Sequence, residues 1–280
     1  MWLLQSSGFK QSNLLDINNS LIKLGFTVKD FGLIPLTKEI TNLENILIPN
    51  EKYIIRAGTK FLTLINEVSS LSECNSQLTK EQILNSNKYV EALKNGIDYN
   101  IEKFDQVNYS NIDLPLLNSS ARYISYKEAS SMTFDQDMFI KPSRDLKAFN
   151  GGILSKGVSV KDFILNGPHQ SYFDSETIVI NELKTIYAEY RFFIIDGKVI
   201  TGSRYMLGNK VLPDKNIPAS ILDYAKSYAK LYSPADIFVM DLADTPQGIK
   251  IVEYNCWNAS GIYHSNIDKL FHEVNEFKKG

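Results

Sequence analysis

The spacing of apolar positions changes along the chain, and each change marks a new element. Trp2-Leu-Leu-Gln opens as a short strand. Leu14, Leu15, Ile17, Leu21, Ile22 and Leu24 then fall on helical spacing, with Ser12 as a cap and Gly25 as a stop. Phe26-Thr-Val-Lys and Tyr53-Ile-Ile-Arg read as strands. After Gly58, the residues Phe61, Leu62, Leu64, Ile65 and Val68 predict another helix. Strands alternating with helices are the rhythm of a small parallel α/β domain. Thr79-Lys-Glu-Gln82 is a capping box for a helix through Ile83 and Leu93, ended by Gly96.

From Asp98 to Asn118 the pattern dissolves into Asn, Asp, Ser and Tyr. The sequence therefore predicts two domains, residues 1–115 and 116–280. The second opens with a short helix after Ser125 and a strand ending Ile140-Lys141-Pro142. A loop with Asn150-Gly151-Gly152 follows, then a helix from Ser159 to Leu165 and a strand Thr177–Leu183. Ala188 to Tyr205 is a hairpin about Asp196-Gly197, a turn pair that tolerates positive φ. Pro218 starts a helix through Leu222 and Ala225. A second hairpin spans Asp236 to Asn255, and Ser265-Asn-Ile-Asp268 caps a closing helix to Lys279.

Composition narrows the classes. With 44% hydrophobic and 22% charged residues the chain is an ordinary globular protein. Thirty basic against 32 acidic residues give a net charge of −2, and no basic run suggests nucleic acid or a membrane surface. No apolar stretch is long enough for a membrane span, and the first residues lack the pattern of a signal peptide. Two distant cysteines, Cys74 and Cys256, exclude a disulfide scaffold and fit a reducing cytoplasm. His169, His264 and His272 show no metal-ligand spacing.

The chemistry concentrates in the second hairpin. Strand alternation sets Glu253 and Asn255 on one face, and an in-register partner brings Asp241 opposite them. Two carboxylates and an amide oxygen converging on one spot repel one another unless a cation sits among them, and such oxygen donors suit Mg²⁺. The same residues would also serve as an ordinary solvated strand face.

The order of parts in the second half resembles the ATP-grasp superfamily. The parts are a strand ending Ile140-Lys141-Pro142, a glycine loop, a strand ending Asn181-Glu182-Leu183, a hairpin starting Glu189-Tyr-Arg191, and Asp241 ahead of Glu253-Tyr-Asn255. Phe139-Ile-Lys-Pro with Asp145-Leu-Lys147-Ala-Phe149 and Gly151 is most similar to a phage and bacterial clade named for one arginine and two lysines. The resemblance implies an N-terminal Rossmann-like α/β domain followed by an ATP-grasp fold, α+β in character. It implies ATP and two Mg²⁺ ions, with Mn²⁺ as an alternative.

It also implies roles. Lys141 would reach the α- and β-phosphates as a compact point charge. The loop at Gly151 and Gly152 would close on the phosphates, with Lys147 beside it. Glu182 and Leu183 would read the adenine, Glu189 would take the ribose hydroxyls, and Asp241, Glu253 and Asn255 would hold the metal ions. Many ligases of the superfamily carry an arginine two residues before the aspartate. Here that position is Val239, so Arg191, Arg204 or Lys147 must supply the catalytic positive charge. Trp257, Asn258 and Ser260 follow Asn255 where family ligases often contact the acceptor, and Arg56 and Lys60 are further candidates for an anionic acceptor.

The resemblance thus implies a cytoplasmic ligase joining a carboxylate to an amine through an acyl phosphate. Small molecules or peptides are the expected substrates. The alternatives are a phosphotransferase and an inactive nucleotide-binding regulatory module.

Overall fold

The structure, a computed structural model, describes residues 1–6, 11–33, 40–41, 51–59, 61–62, 65, 93, 95–144, 148–165 and 176–280. The expected helix from Ile83 lies outside the described residues apart from helical Leu93 and Asn95, as do Lys60, Cys74, Lys147 and His169. Contacts divide the chain into two compact units, Met1–Tyr99 with Cys256–Gly280, and Asn100–Asn255.

In the first unit, strand β1 (Trp2–Gln5) lies parallel to β2 (Val28–Leu33) on one side and to β4 (Ile54–Arg56) on the other. A two-residue strand, β3 (Ile40–Thr41), adds antiparallel to β2. Helix α1 (Gln11–Lys23) connects β1 to β2. It stops at Gly25, whose φ of 78° lets Phe26 N–H reach back to Leu21 O and Gly25 N–H to Ile22 O. The apolar faces of the strands meet Phe61, Leu62, Ile65 and Leu93 in one core with Leu3, Phe31 and Ile55.

The C-terminal segment completes this unit. Ser20 Oγ and Lys23 Nζ, both on α1, donate to Asp268 at 2.6 and 2.5 Å. Trp2 packs between Phe26 and Phe271, with ring centroids 6.2 and 5.1 Å away. The sequence reading keeps residues 256–280 with the second domain and 100–115 with the first. Contact groups both the other way, because Trp2 and α1 need the last helix, Ile267–Lys279, as a cover.

The second unit contains two antiparallel sheets. One has the order β5 (Arg122–Ser125), β8 (Thr177–Glu182), β6 (Met138–Pro142), β7 (Gly152–Leu154). Its core is Ile140, Leu154, Ile178, Ile180, Phe149 and Val160. The other has the order β11 (Lys210–Asp214), β10 (Lys198–Leu207), β9 (Ala188–Ile195), β12 (Ile237–Thr245), β13 (Gly248–Cys256). The β9–β10 turn puts Asp196 at φ 49° and Gly197 at φ 68°, the pair of positive values an Asp-Gly hairpin turn requires.

The polar stretch after Asp98 holds two short helices, Ile101–Phe104 and Gln106–Tyr109. Asn100 caps the first by accepting from Glu102 and Lys103 N–H, and Asp105 caps the second by accepting from Val107 N–H. Those side chains make the stretch look like loop, and they are what let the helices start. Among the described residues no helix is long and apolar enough to cross a membrane.

Candidate nucleotide and metal site

The two sheets of the second unit face one another across a cavity of about 680 Å³, a size suited to a small-molecule cofactor. Lys141, Gly151, Glu182 and Leu183 line it from one side, and Glu189, Tyr205 and Glu253 from the other. Phe139, Phe149, Ile186 and Val252 supply apolar wall.

Lys141 stands at the end of β6, opposite Val179 of β8. Its Nζ donates to Glu253 Oε2 at 2.5 Å, so the two sheets are tied across the cavity. Gly151 packs on this lysine. A Cβ at Gly151 would meet Lys141 Cβ at 2.9 Å and Ile140 O at 3.4 Å, so only glycine lets the loop approach so closely. Gly152 sits opposite Ile140 at the start of β7.

Asp241 is opposite Arg191 in register, and the pairing is bidentate: Nε donates to Oδ1 at 2.8 Å and an Nη to Oδ2 at 2.7 Å. Asn255 Nδ2 donates to Asp241 Oδ2 at 3.1 Å and to Glu253 Oε1 at 3.3 Å. The expected trio is therefore brought together, with the amide between the two carboxylates. Each carboxylate also carries a protein cation, an arrangement absent from the sequence reading. Burial pushes Glu253 up, but Lys141, Arg191 and the Asn255 hydrogen bond outweigh it and bring the carboxyl down to about 2. Asp241 is more deeply buried, and there burial wins over Arg191 and raises the carboxyl.

Glu189 lies two residues before Arg191 on β9, and the Tyr205 hydroxyl donates to its Oε2. Burial raises the Glu189 carboxyl against the Tyr205 hydrogen bond, and the charges of Asp241 and Glu253 add to the rise. Glu182 and Leu183 are exposed at the end of β8. Asn181 Oδ1 accepts from Glu182 N–H at 3.0 Å, and Asn181 Nδ2 donates to Asn118 Oδ1 at 2.9 Å, which fixes this strand end.

Other expected residues stand elsewhere. Arg204 is opposite Tyr190, one position out of step with Arg191, so it projects from the other face of the sheet. There its guanidinium donates to Leu212 O and Asp214 Oδ2, both at 3.4 Å. Val239 is fully buried opposite Phe193. Trp257, Asn258 and Ser260 are buried in the first unit and knit its backbone. Asn258 donates to Ile55 O and Gly96 O and accepts from Asp98 N–H, while Trp257 Nε1 donates to Asp98 Oδ2. Arg56 donates to Trp257 O and Ser260 O, so its charge is spent on the C-terminal segment. Cys256 is buried in the same core.

Tyr205 escapes the sequence reading, as does Arg144, which also lines the cavity and donates to Asp105 Oδ2 at 3.2 Å. The signal for Tyr205 is weak: regular pairing out from the Asp196-Gly197 turn would set Arg204, not Tyr205, on the face of Arg191, and a register shift between Val199 and Thr201 exchanges the two.

Among the described residues no cluster of three or more His, Cys, Asp and Glu is placed to hold a metal ion. The donor set here is instead two carboxylates and an amide, whose hard oxygens fit Mg²⁺ in chemistry.

Two facing antiparallel sheets thus gather a lysine, a glycine loop and an acidic hairpin about one cavity. The family model of the ATP-grasp domain, family 3 of the clade named for one arginine and two lysines, matches residues 63–274, and the chain belongs to that family. No curated protein matches it. Solved structures share the fold. D-alanine–D-alanine ligase from Bacillus anthracis is similar with a TM-score of 0.58 at 13% identity, over 99% of this chain and 96% of that one. The ATP-grasp ligase PsnB, complexed with a phosphomimetic variant of its minimal precursor, Mg and ADP, gives 0.51 at 14% identity, over 100% and 98%. D-cycloserine synthetase DcsG gives 0.51 at 9% identity, over 99% and 98%.

Proposed function

We propose that the protein is an ATP-dependent ligase that joins a carboxylate to an amine. The observation that carries this reading is the convergence of Lys141, Glu189 and Glu253 on one cavity between the two sheets, with Asp241 and Asn255 hydrogen-bonded or charge-coupled behind Glu253. Lys141 holds the α- and β-phosphates, and the backbone about Gly151 and Gly152 closes over them. Glu182 and Leu183 face the adenine, and Glu189 takes ribose hydroxyls. Asp241, Glu253 and Asn255 would hold Mg²⁺, which would supply positive charge to offset the negative charge of the phosphates. Arg191 is the arginine on the site's face and takes the place that Val239 leaves open.

A substrate carboxylate oxygen attacks the γ-phosphorus, the bond to the β-bridging oxygen breaks, and ADP leaves. The amine nitrogen then attacks the acyl carbon, phosphate departs, and the nitrogen loses a proton. The chain's residues act mainly by position and by charge at the phosphoryl group. Relatives in fold, PsnB and D-alanine–D-alanine ligase among them, are ligases, which supports this class over a phosphotransferase. We also read residues 1–115 as holding a Rossmann-like domain, supported by the parallel order β2-β1-β4 with α1 as the β1–β2 connection.

The experiment is hydroxylamine trapping with ATP, Mg²⁺ and a panel of amino-acid and peptide carboxylates without amine. A hydroxamate that forms only with one class of carboxylate supports the ligase. A stable phosphorylated product with no hydroxamate points to a phosphotransferase instead.

A further inference from the structure

Tyr205 connects the two functional side chains of β9 that the sequence reading treats separately. Regular pairing puts Ser203 opposite Arg191 and Arg204 opposite Tyr190, and then the register shifts so that Met206 is opposite Glu189. Tyr205 is the extra residue of this bulge. Its hydroxyl donates to Glu189 Oε2. Its ring lies against the Arg191 guanidinium, with Cζ 5.4 Å from the ring centroid, within the range of a cation–π contact. Arg191 in turn holds Asp241 through two bonds. One phenol thus touches both the carboxylate at the wall of the cavity and the arginine that neutralises its floor.

From this geometry we infer that Tyr205 is a positioning residue that sets nucleotide sugar specificity. It pins Oε2 of Glu189 and leaves Oε1 to accept a ribose hydroxyl. The inference rests on reading the cavity as a nucleotide site. A carboxylate with one oxygen already engaged has a single orientation to offer. A sugar hydroxyl then meets a prepared acceptor, and a deoxy sugar leaves that acceptor unpaired, which is where discrimination arises. The phenol suits the task because burial, together with the charges of Asp241 and Glu189, keeps it protonated and so a donor.

The test compares binding of ADP, 2′-deoxyADP and 3′-deoxyADP, with Mg²⁺ present, to the wild type, Tyr205→Phe, Glu189→Gln and the double variant. Tyr205→Phe keeps the ring beside Arg191 and removes only the hydroxyl. The expected wild-type preference for ADP over the more poorly bound deoxy nucleotide is roughly tenfold or more, the scale of a hydrogen bond to a charged group. Tyr205→Phe should reduce that preference to about twofold while leaving deoxyADP affinity unchanged, and the double variant should fall no further than Glu189→Gln alone. A purely structural tyrosine would weaken all three nucleotides alike, and that result overturns the inference. An unchanged preference in Tyr205→Phe, with ADP still bound, also overturns it and leaves the nucleotide reading intact. Failure of the wild type to bind any of the three would remove the nucleotide reading and this inference with it.

Discussion

Lys141 Nζ and Glu253 Oε2 lie 2.5 Å apart, so a lysine from one sheet neutralises an acid from the other across the cavity. The lysine side chain is 11% exposed and the glutamate 32%. Both groups are the ones the proposed site needs for other partners, phosphate for the lysine and a metal ion for the glutamate. On the proposed reading, nucleotide and metal ion would have to exchange for this pair.

Lys141→Ala should weaken ATP binding by at least tenfold, because a phosphate-facing point charge is lost. Lys161→Ala, exposed on the short helix Val160–Leu165, should leave binding unchanged. Calorimetric affinities for the two variants check this, and equal values would detach Lys141 from the phosphates.

The Lys141–Glu253 pair also predicts a pH signature. Glu253 is held at about 2 against an ordinary 4.5, so its contribution to stability is present above 4.5 and is lost as pH falls through 2. Lys141→Met removes the main cause of that depression. The gap in melting temperature between wild type and variant should therefore be widest near pH 6 and narrow steadily toward pH 2. Melts across that range decide it, and a gap independent of pH would contradict the pairing.

Gly151→Ala tests the close approach of the glycine loop. The new Cβ, 2.9 Å from Lys141 Cβ, forces the loop or the strand to move. We expect a loss of about 1–3 kcal/mol of stability, the usual range for overpacking, with weaker nucleotide binding. Chemical denaturation and calorimetry measure the two effects. An unaffected variant would mean that the loop yields without disturbing β6.

The acidic hairpin is legible in the sequence because Glu253 and Asn255 are two residues apart on one strand, and alternation alone fixes their common face. The place of Lys141 near a strand end is legible because the apolar run Met138-Phe-Ile140 leads straight into it, although the strand continues through Pro142. The cation for Asp241 is not legible as a pair: Arg191 meets it only through the β9–β12 register, fifty residues away. Arg204 is assigned to the wrong face and Tyr205 missed for one reason, the register shift in β10 between Val199 and Thr201, which sets which of them shares a face with Arg191. Short strands such as β5, β7 and β11 carry too few residues for a period to show. The grouping of the C-terminal helix with the first unit is hidden because its partners, Trp2, Ser20 and Lys23, lie at the far end of the chain.

If Glu253 exchanges Lys141 for a metal ion when nucleotide arrives, ADP binding must depend on Mg²⁺ through that one carboxylate, and measuring this dependence is the most direct test. In the wild type, Mg²⁺ alone should bind weakly, since each carboxylate already has a cation, while Mg²⁺ should tighten ADP binding by roughly tenfold or more. In Glu253→Gln the melting temperature without ligand reports the lost pair with Lys141, and the Mg²⁺ effect on ADP affinity should fall to about twofold or less. A Glu253→Gln variant whose ADP affinity still rises with Mg²⁺ as it does in the wild type would contradict the account.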